Sequence, residues 1–482
     1  VETPMRDAVR AAWTALGGGP ADLDQISLSG PDEVLPARLA VTDLAVASVA
    51  AAALAARELA GARGARVTAP VPVDTGAVAT AFTSERHLRV DGVAFEGFAP
   101  LSRFWPTADG WVRTHANYPH HRRRLLAAVG LDPAAPDDAS LTAEVAARVR
   151  ARTSVAFEEA VTAAGGLAVA VRTPPQWSAH PQSAAVAREP LVGLRVDGEA
   201  APRRLPPTPE HPLRPAAGVR VLDLTRVIAG PVATRVLALL GADVLRVDDP
   251  GLPEIEAQHV DTGFGKRSTL LDLRRQADRA RFEDLVAGAD VVVTGYRPAA
   301  LDRFGLSPEA LRRCRPDLVV ARLAAWGFSG PWAPRRGFDS LVQAATGIAD
   351  VERRPDGTPG TLPAQALDHG AGYLLAAAVL RALAQRHQRG GAWSAELSLA
   401  RIARWLLHEL PAHPSRAPVA APDPDPWVDE RDASAGRLRY VLPPVSLPDG
   451  PRTWATPPSP WGADPPAWPR GSEPPAGGVE EV

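Results

Sequence analysis

The sequence predicts an α/β protein, with a Rossmann-like open parallel sheet domain joined to a smaller α/β domain. Three observations carry this expectation. Between Gly218 and Pro250 an apolar run (219–224), a turn with Ala229, Gly230 and Pro231, a helical pattern to Leu240 and, after Gly241, a second apolar run (244–247) make one βαβ unit. Further apolar runs at 268–273, 290–294 and 318–323 alternate with helical or loop segments, the pattern of a doubly wound sheet. The stretch before them, 97–200, changes character and holds its own short strands and helices.

In chain order, residues 1–96 begin with a short helical lead and a glycine break. They continue with LAVTDLAVASVAAAALAAREL, read as a strand end, Asp43 and a buried helix. A strand and helix start follow at 71–82. Residues 97–200 are expected to form the small domain, with one helix from Leu141 to Ala164, and the proline-rich 201–217 a linker. Residues 218–410 form the sheet domain, in which ligands bind beyond the carboxyl ends of strands, so the turn at 225–231 is the first place to look for chemistry. That turn lacks the G-x-G-x-x-G spacing, which argues against a nicotinamide or flavin enzyme. Around Asp368 the plan seen at Asp43 returns, an aspartate before an alanine-rich helix that ends near a glycine (Gly64, Gly390), and this is read as an internal repeat. Residues 411–482 are Pro-rich and expected to be linker, partly disordered, apart from a strand at 437–442.

Composition narrows the function. A 482-residue chain with 45% hydrophobic residues supports real cores, and a net charge of −2 offers no field for nucleic acid or an anionic membrane. The greasiest run, 44–59, includes Arg57 and Glu58 and reads as a packed helix rather than a bilayer span. The single cysteine, Cys314, excludes internal disulfides and a cysteine zinc site, and a reducing cytoplasm is expected. His115, His120 and His121 share a loop without the spacing of a metal site, so no metal is expected. Lys266 is the only lysine in the chain, read either as codon bias or as a place where a compact ammonium is wanted.

At this point several runs resemble a known family. GVRVLDLTRVIAGP with LLGADVLRVDDP, GKRSTLLDLR, ADVVVTGYRPAALDRFGL, LAAWGFSGPWAPRRGFDSLVQAATG and ALDHGAGYLLAAAVLRAL follow the order of motifs in the family III CoA-transferases. That group includes formyl- and carnitine-type CoA-transferases and shares its fold with α-methylacyl-CoA racemases. TADGWVRTHANYPHHRRRLL and AAGGLAVAVRT resemble the family's small domain and return segment, so the halves stand in rearranged order.

The resemblance implies an enzyme moving coenzyme A between an acyl-CoA and a carboxylic acid, with no tightly bound cofactor and CoA as substrate. It also implies a homodimer. Coenzyme A carries three phosphate groups on a neutral arm, so its pocket needs a few fixed cations. Arg226 with Val227, Arg246, Tyr296, Arg303 and Arg336 match the family's CoA contacts, and Lys266 and Arg297 lie at predicted strand ends beside them. Asp368, with His369 and Gly372, matches the aspartate nucleophile, which would pass through an aspartyl-CoA thioester. Read without the family, Asp368 is a helix N-cap. With it, a carboxylate of ordinary pKa is already ionised at neutral pH. Asp43 is the alternative nucleophile, but it has Ala47 where Asp368 has Gly372, a glycine expected to leave room for the thioester. Two other functions stay open: a racemase-like isomerase, disfavoured because Phe338 stands where a proton-moving histidine is needed, and an inactive CoA-binding or partner-binding protein.

Overall fold

The computed structural model describes residues 4–95, 97–136, 138–208, 211–411 and 422–469. At its centre is a seven-stranded sheet. In spatial order its strands are Lys266–Leu270, Asp243–Asp248, Arg220–Leu224, Val291–Thr294, Val319–Ala324, Ala392–Ser398 and Gly193–Gly198. The first six run parallel, and in chain order they read 3-2-1-4-5-6, the doubly wound arrangement. Val291 to Val293 are buried because helices cover both sheet faces, which is why these strands read as continuous apolar runs rather than alternating ones. The seventh strand, Gly193–Gly198, pairs antiparallel with Ala392–Ser398 and covers that edge. Residues expected in the small domain therefore extend the large sheet.

The small unit is a three-stranded antiparallel sheet, Phe104–Pro106, Trp111–Thr114 and Ala168–Ala170, with helices Pro119–Ala128, Ala139–Arg150 and Ser154–Ala163 on its own core. The single helix expected over 141–164 is two helices. Thr153 has extended backbone and its Oγ1 accepts from Ala156 N–H, so it caps the second and ends the run.

The two repeated aspartates start helices that pack on each other, Val41–Ala62 and Ala366–Arg389. Each aspartate is the third residue of its helix, and the preceding cap residues share one backbone conformation, Ala40 at φ −75°, ψ 57° and Gln365 at φ −75°, ψ 63°. Small residues make the close approach possible: a Cβ at Gly370 would sit 2.7 Å from Leu44 Cδ2 of the first helix. Residues 5–95 consequently share one hydrophobic core with the sheet domain.

Over 422–469, where linker and one strand are expected, the chain forms the hairpin Val428–Ala433/Gly436–Val441, whose second strand pairs with Arg89–Val90. It then runs along the sheet domain, held by indoles. Trp454 Nε1 donates to Arg235 O (2.9 Å), Trp461 Nε1 to Asp248 Oδ2 (3.1 Å) and Trp468 Nε1 to Leu285 O (2.9 Å). Prolines deny this segment regular pairing, and buried aromatic surface anchors it instead. Residues 412–421 and 470–482 of the expected linker lie outside the described residues.

Candidate active site

Asp368 is buried in the first turn of the Ala366–Arg389 helix, and its backbone N–H donates to Asp339 Oδ2 (2.9 Å). Asp339, wholly buried, opens the helix Asp339–Thr346 and so serves as a side-chain cap for its neighbour. Its other oxygen accepts from Gln343 Nε2, while Gln343 Oε1 accepts from Leu362 N–H (2.9 Å). Burial pushes the Asp339 carboxyl up to about 6 despite these donors. Asp368 is raised well above the usual carboxylate range, first by burial and then by the charges of Asp339 and Glu85. The expectation of an ordinary, already ionised nucleophile is thereby corrected: two carboxyls this close in a dry site cannot both ionise freely.

Glu85, on the short helix Ser84–His87, approaches from the first half of the chain, with Oε2 3.7 Å from His369 Nε2. The His369 ring stacks on Phe82 at 5.2 Å, and Phe82 on Tyr373 at 5.8 Å. Gly372 does not open space for a thioester, since a Cβ there would lie 2.6 Å from the Ala229 carbonyl of the helix Ala229–Leu239. Its small size serves helix packing. Asp43 is buried at the equivalent turn of its own helix.

The CoA-contact candidates separate into two groups. Arg226 and Val227 follow strand Arg220–Leu224, while Tyr296 and Arg297 follow Val291–Thr294; chain order reverses between these strands, so all four border the crevice where such sheets bind ligands. Val227 has φ +72°, a strained value for a β-branched residue, and its N–H donates to Glu254 Oε2 (3.1 Å). Arg226 donates to the carbonyls of Leu252 (2.8 Å) and Pro253 (2.7 Å) and lies over the Tyr118 ring. Burial pushes Tyr296 up to about 12. Arg297, Arg303 and Arg336 are exposed. Arg336 is lowered, first by partial desolvation and then by the charges of Arg297, Arg124 and Arg303.

Arg246 and Lys266, expected beside phosphate, are instead inside the protein. Arg246 pairs with Asp248 (2.7 Å) and Glu254 (2.9 Å), and Lys266 Nζ with Asp223 Oδ2 (3.1 Å) and the Pro231 carbonyl (2.8 Å). Burial lowers Lys266 to about 8, offset in part by Asp223. A buried cation needs its own counter-ion, and these cations have theirs.

Sequence reasoning passes over Glu254, Asp339, Glu85 and Arg124. Glu254 is the hub of the first turn: besides Arg246 and Val227 it accepts from Tyr118 Oη (2.5 Å) of the small unit. Phe338, ahead of Asp339, stacks on His115 with centroids 3.8 Å apart. His115 is lowered to about 3 and His121 to about 2, both chiefly by burial. Two cavities of about 370 and 360 Å³, one lined by Trp13, Arg57 and Glu58 and the other by His259, Leu438 and Trp461, do not have Asp368 in their walls.

A doubly wound sheet with a buried helix-start aspartate and arginines at its crevice is the setting in which the family comparison falls: residues 216–426 match the model of CoA-transferase family III. The chain is similar to the probable fatty acyl-CoA transferase Rv3272 of Mycobacterium tuberculosis, 35% identical over 230 residues, which is 45% of this chain and 58% of that protein. It is also similar to the acetyl-CoA:oxalate CoA-transferase of Acetobacter aceti, 34% identical over 38% of this chain and 50% of that one. A crystal structure of Rv3272 covers 41% of this chain and 58% of its own, with 36% identity and a TM-score of 0.39. The chain thus spans less than two thirds of these relatives, and Asp43, Glu85 and Tyr118 fall outside the family-matched residues.

Proposed function

We propose that the protein is a CoA-transferase that moves coenzyme A from an acyl-CoA to a carboxylic acid, with Asp368 as nucleophile. The observation that carries the reading is Asp368 itself: a buried aspartate in the first turn of a helix, within the family-matched residues, beside a second carboxyl that takes up its backbone N–H. The ionised carboxylate attacks the thioester carbonyl, the C–S bond breaks, and an acyl-aspartyl anhydride and CoA thiolate result. The thiolate then attacks the aspartyl carbonyl, releasing the donor acid and leaving an aspartyl-CoA thioester. The acceptor carboxylate attacks that thioester, expelling thiolate and forming a second anhydride, and the thiolate attacks the acceptor's acyl carbon to regenerate Asp368.

The structure's own residues bear on two parts of this sequence. With Asp339 adjacent, ionisation of Asp368 is the costly event, and the rate should climb with pH well beyond the range of a free carboxyl. Arg297, Arg303 and Arg336, exposed and without a carboxylate partner among the described residues, are the cations we assign to CoA phosphates. Asp368 is only 6% exposed, so the thioester reaches it after the walls around it move.

The test is to incubate the protein with a panel of acyl-CoA compounds and trap with hydroxylamine or borohydride. Label on Asp368, and its loss in Asp368→Asn with retention in Asp43→Asn, is the expected result. Label on Asp43 alone, or transfer undiminished in Asp368→Asn, would overturn the assignment.

A further inference from the structure

Asp339 and Asp368 come from two helices and meet inside the protein without a paired cation. Asp339 is 0% exposed; its Oδ2 accepts the backbone N–H of Asp368 at 2.9 Å, and its other oxygen accepts from Gln343 Nε2. The Asp368 carboxyl accepts no hydrogen bond among the described residues, and no arginine or lysine there is ion-paired with either aspartate. Donors thus gather on Asp339, so the first negative charge of the pair settles there and Asp368 ionises second, against it. Covalent chemistry changes this balance. An aspartyl anhydride or thioester is uncharged, so an acylated Asp368 no longer meets the Asp339 charge.

We propose that Asp339 is a positioning residue that acts through Asp368: it fixes the first turn of the nucleophile's helix through the backbone N–H, and its charge makes the free Asp368 carboxylate a high-energy anion that is relieved when the covalent adduct forms. This role rests on Asp368 being the nucleophile. In the exchange the sulfur passes from the donor acyl carbon to the Asp368 carboxyl carbon, one aspartyl oxygen leaves in the donor acid, and the negative charge leaves with that acid. A charge is thereby removed from a dry site that already holds another of the same sign. The repulsion that opposes ionisation of Asp368 is the one that favours its aspartyl-CoA thioester.

Linkage ties the two effects together. Removing the Asp339 charge stabilises the Asp368 anion alone; the protonated acid and the adduct are both neutral at Asp368 and keep their balance. The midpoint of the adduct's pH profile therefore falls, its alkaline plateau falls by the same factor, and the acid limb stays in place. Around the pair stand Glu85, whose charge also raises Asp368, and His369, whose Nε2 lies 3.7 Å from Glu85 Oε2. Tyr373, stacked on the same Phe82 ring as His369, is pushed up to about 12 by burial and stays neutral. Arg86 donates to the Pro363 carbonyl, and Arg235 pairs with Asp261.

The experiment takes the full chain, Asp339→Asn and Glu85→Gln. Each is equilibrated across pH with acetyl-, succinyl- or palmitoyl-CoA and the matching free acid at a fixed ratio. After an acid quench, mass spectrometry reads the ratio of CoA-bearing to free Asp368. Asp339→Asn keeps an oxygen for the Asp368 N–H and loses the charge. Its midpoint should lie about one pH unit below the wild type and its alkaline plateau about tenfold lower, with the acid limbs superimposed. Glu85→Gln, which leaves the cap untouched, should move both in the same direction by less. An unchanged midpoint and plateau in Asp339→Asn overturn the proposal, as does an equal loss at every pH, the mark of a merely structural role. A second arm follows the aspartate carboxyls of the free protein by carbon-13 NMR, with Asp368→Asn and Asp339→Asn identifying the signals. In the wild type the Asp339 signal should move in two steps, its own and then that of Asp368, and Asp368 should titrate at lower pH in Asp339→Asn. A single step, or an identical Asp368 titration, refutes the repulsion. Should the wild type carry no CoA on Asp368 at any pH, the transferase reading has failed and this second arm alone decides.

Discussion

Replacing Glu254 by Gln tests the first turn of the sheet domain most directly. The Glu254 side chain is 1% exposed, and its oxygens accept from Tyr118 Oη, Arg246 Nη2 and the N–H groups of Val227 and Ile255. Burial works against the charge, yet Arg246 and then Arg226 hold the carboxyl at about 2 instead of 4.5. That displacement corresponds to roughly 3 kcal/mol, in line with the ~3–5 kcal/mol expected when one member of a buried pair is removed and the other is stranded. The sign follows from linkage: a carboxyl depressed in the folded state contributes stability that is complete above pH 4.5 and is lost as pH falls toward 2. Urea unfolding at pH 7 should therefore show Glu254→Gln less stable by about 3 kcal/mol. The deficit should shrink as both proteins are acidified toward pH 2.5. An unchanged pH 7 stability, or a deficit that stays constant on acidification, would refute the hub. Because Tyr118 belongs to the small unit, the variant should also loosen that unit, seen as faster exchange of the Pro119–Ala128 amides.

Three further outcomes are expected. Asp368 has a raised folded-state pKa, so its contribution to stability is complete below the usual carboxyl range and is lost as pH rises; Asp368→Asn should melt higher than the wild type at pH 8 and lose that advantage near pH 4, by calorimetry. Gly372→Ala should cost about 1–3 kcal/mol in urea unfolding, because the added Cβ meets the Ala229 carbonyl at 2.6 Å; a neutral variant would mean the two helices separate readily. Arg303→Ala and Arg336→Ala should each weaken CoA binding by about 1–3 kcal/mol in titration calorimetry and leave the melting temperature in place, since both side chains are exposed, and the reverse pattern would make them structural.

What the sequence by itself determined is local and periodic. The apolar runs at 219–224, 244–247, 290–294 and 318–323 coincide with sheet strands because a strand covered on both faces must be apolar along its whole length. Asp43 and Asp368 were visible as a repeat because each stands before an alanine-rich helix, and the matching cap angles follow from the same local pattern. Tertiary structure decided the state of each charge. Arg246 and Arg303 are alike as arginines near strand ends, yet one is sealed between Asp248 and Glu254 and the other is exposed. No local signal tells them apart, since burial depends on what the rest of the chain lays over them. The same holds for the site: Asp339 lies 29 residues from Asp368, and Glu85 comes from the other half of the chain. A pKa is set by desolvation and by charges within a few ångströms, and which charges come that close is fixed only when the two halves pack.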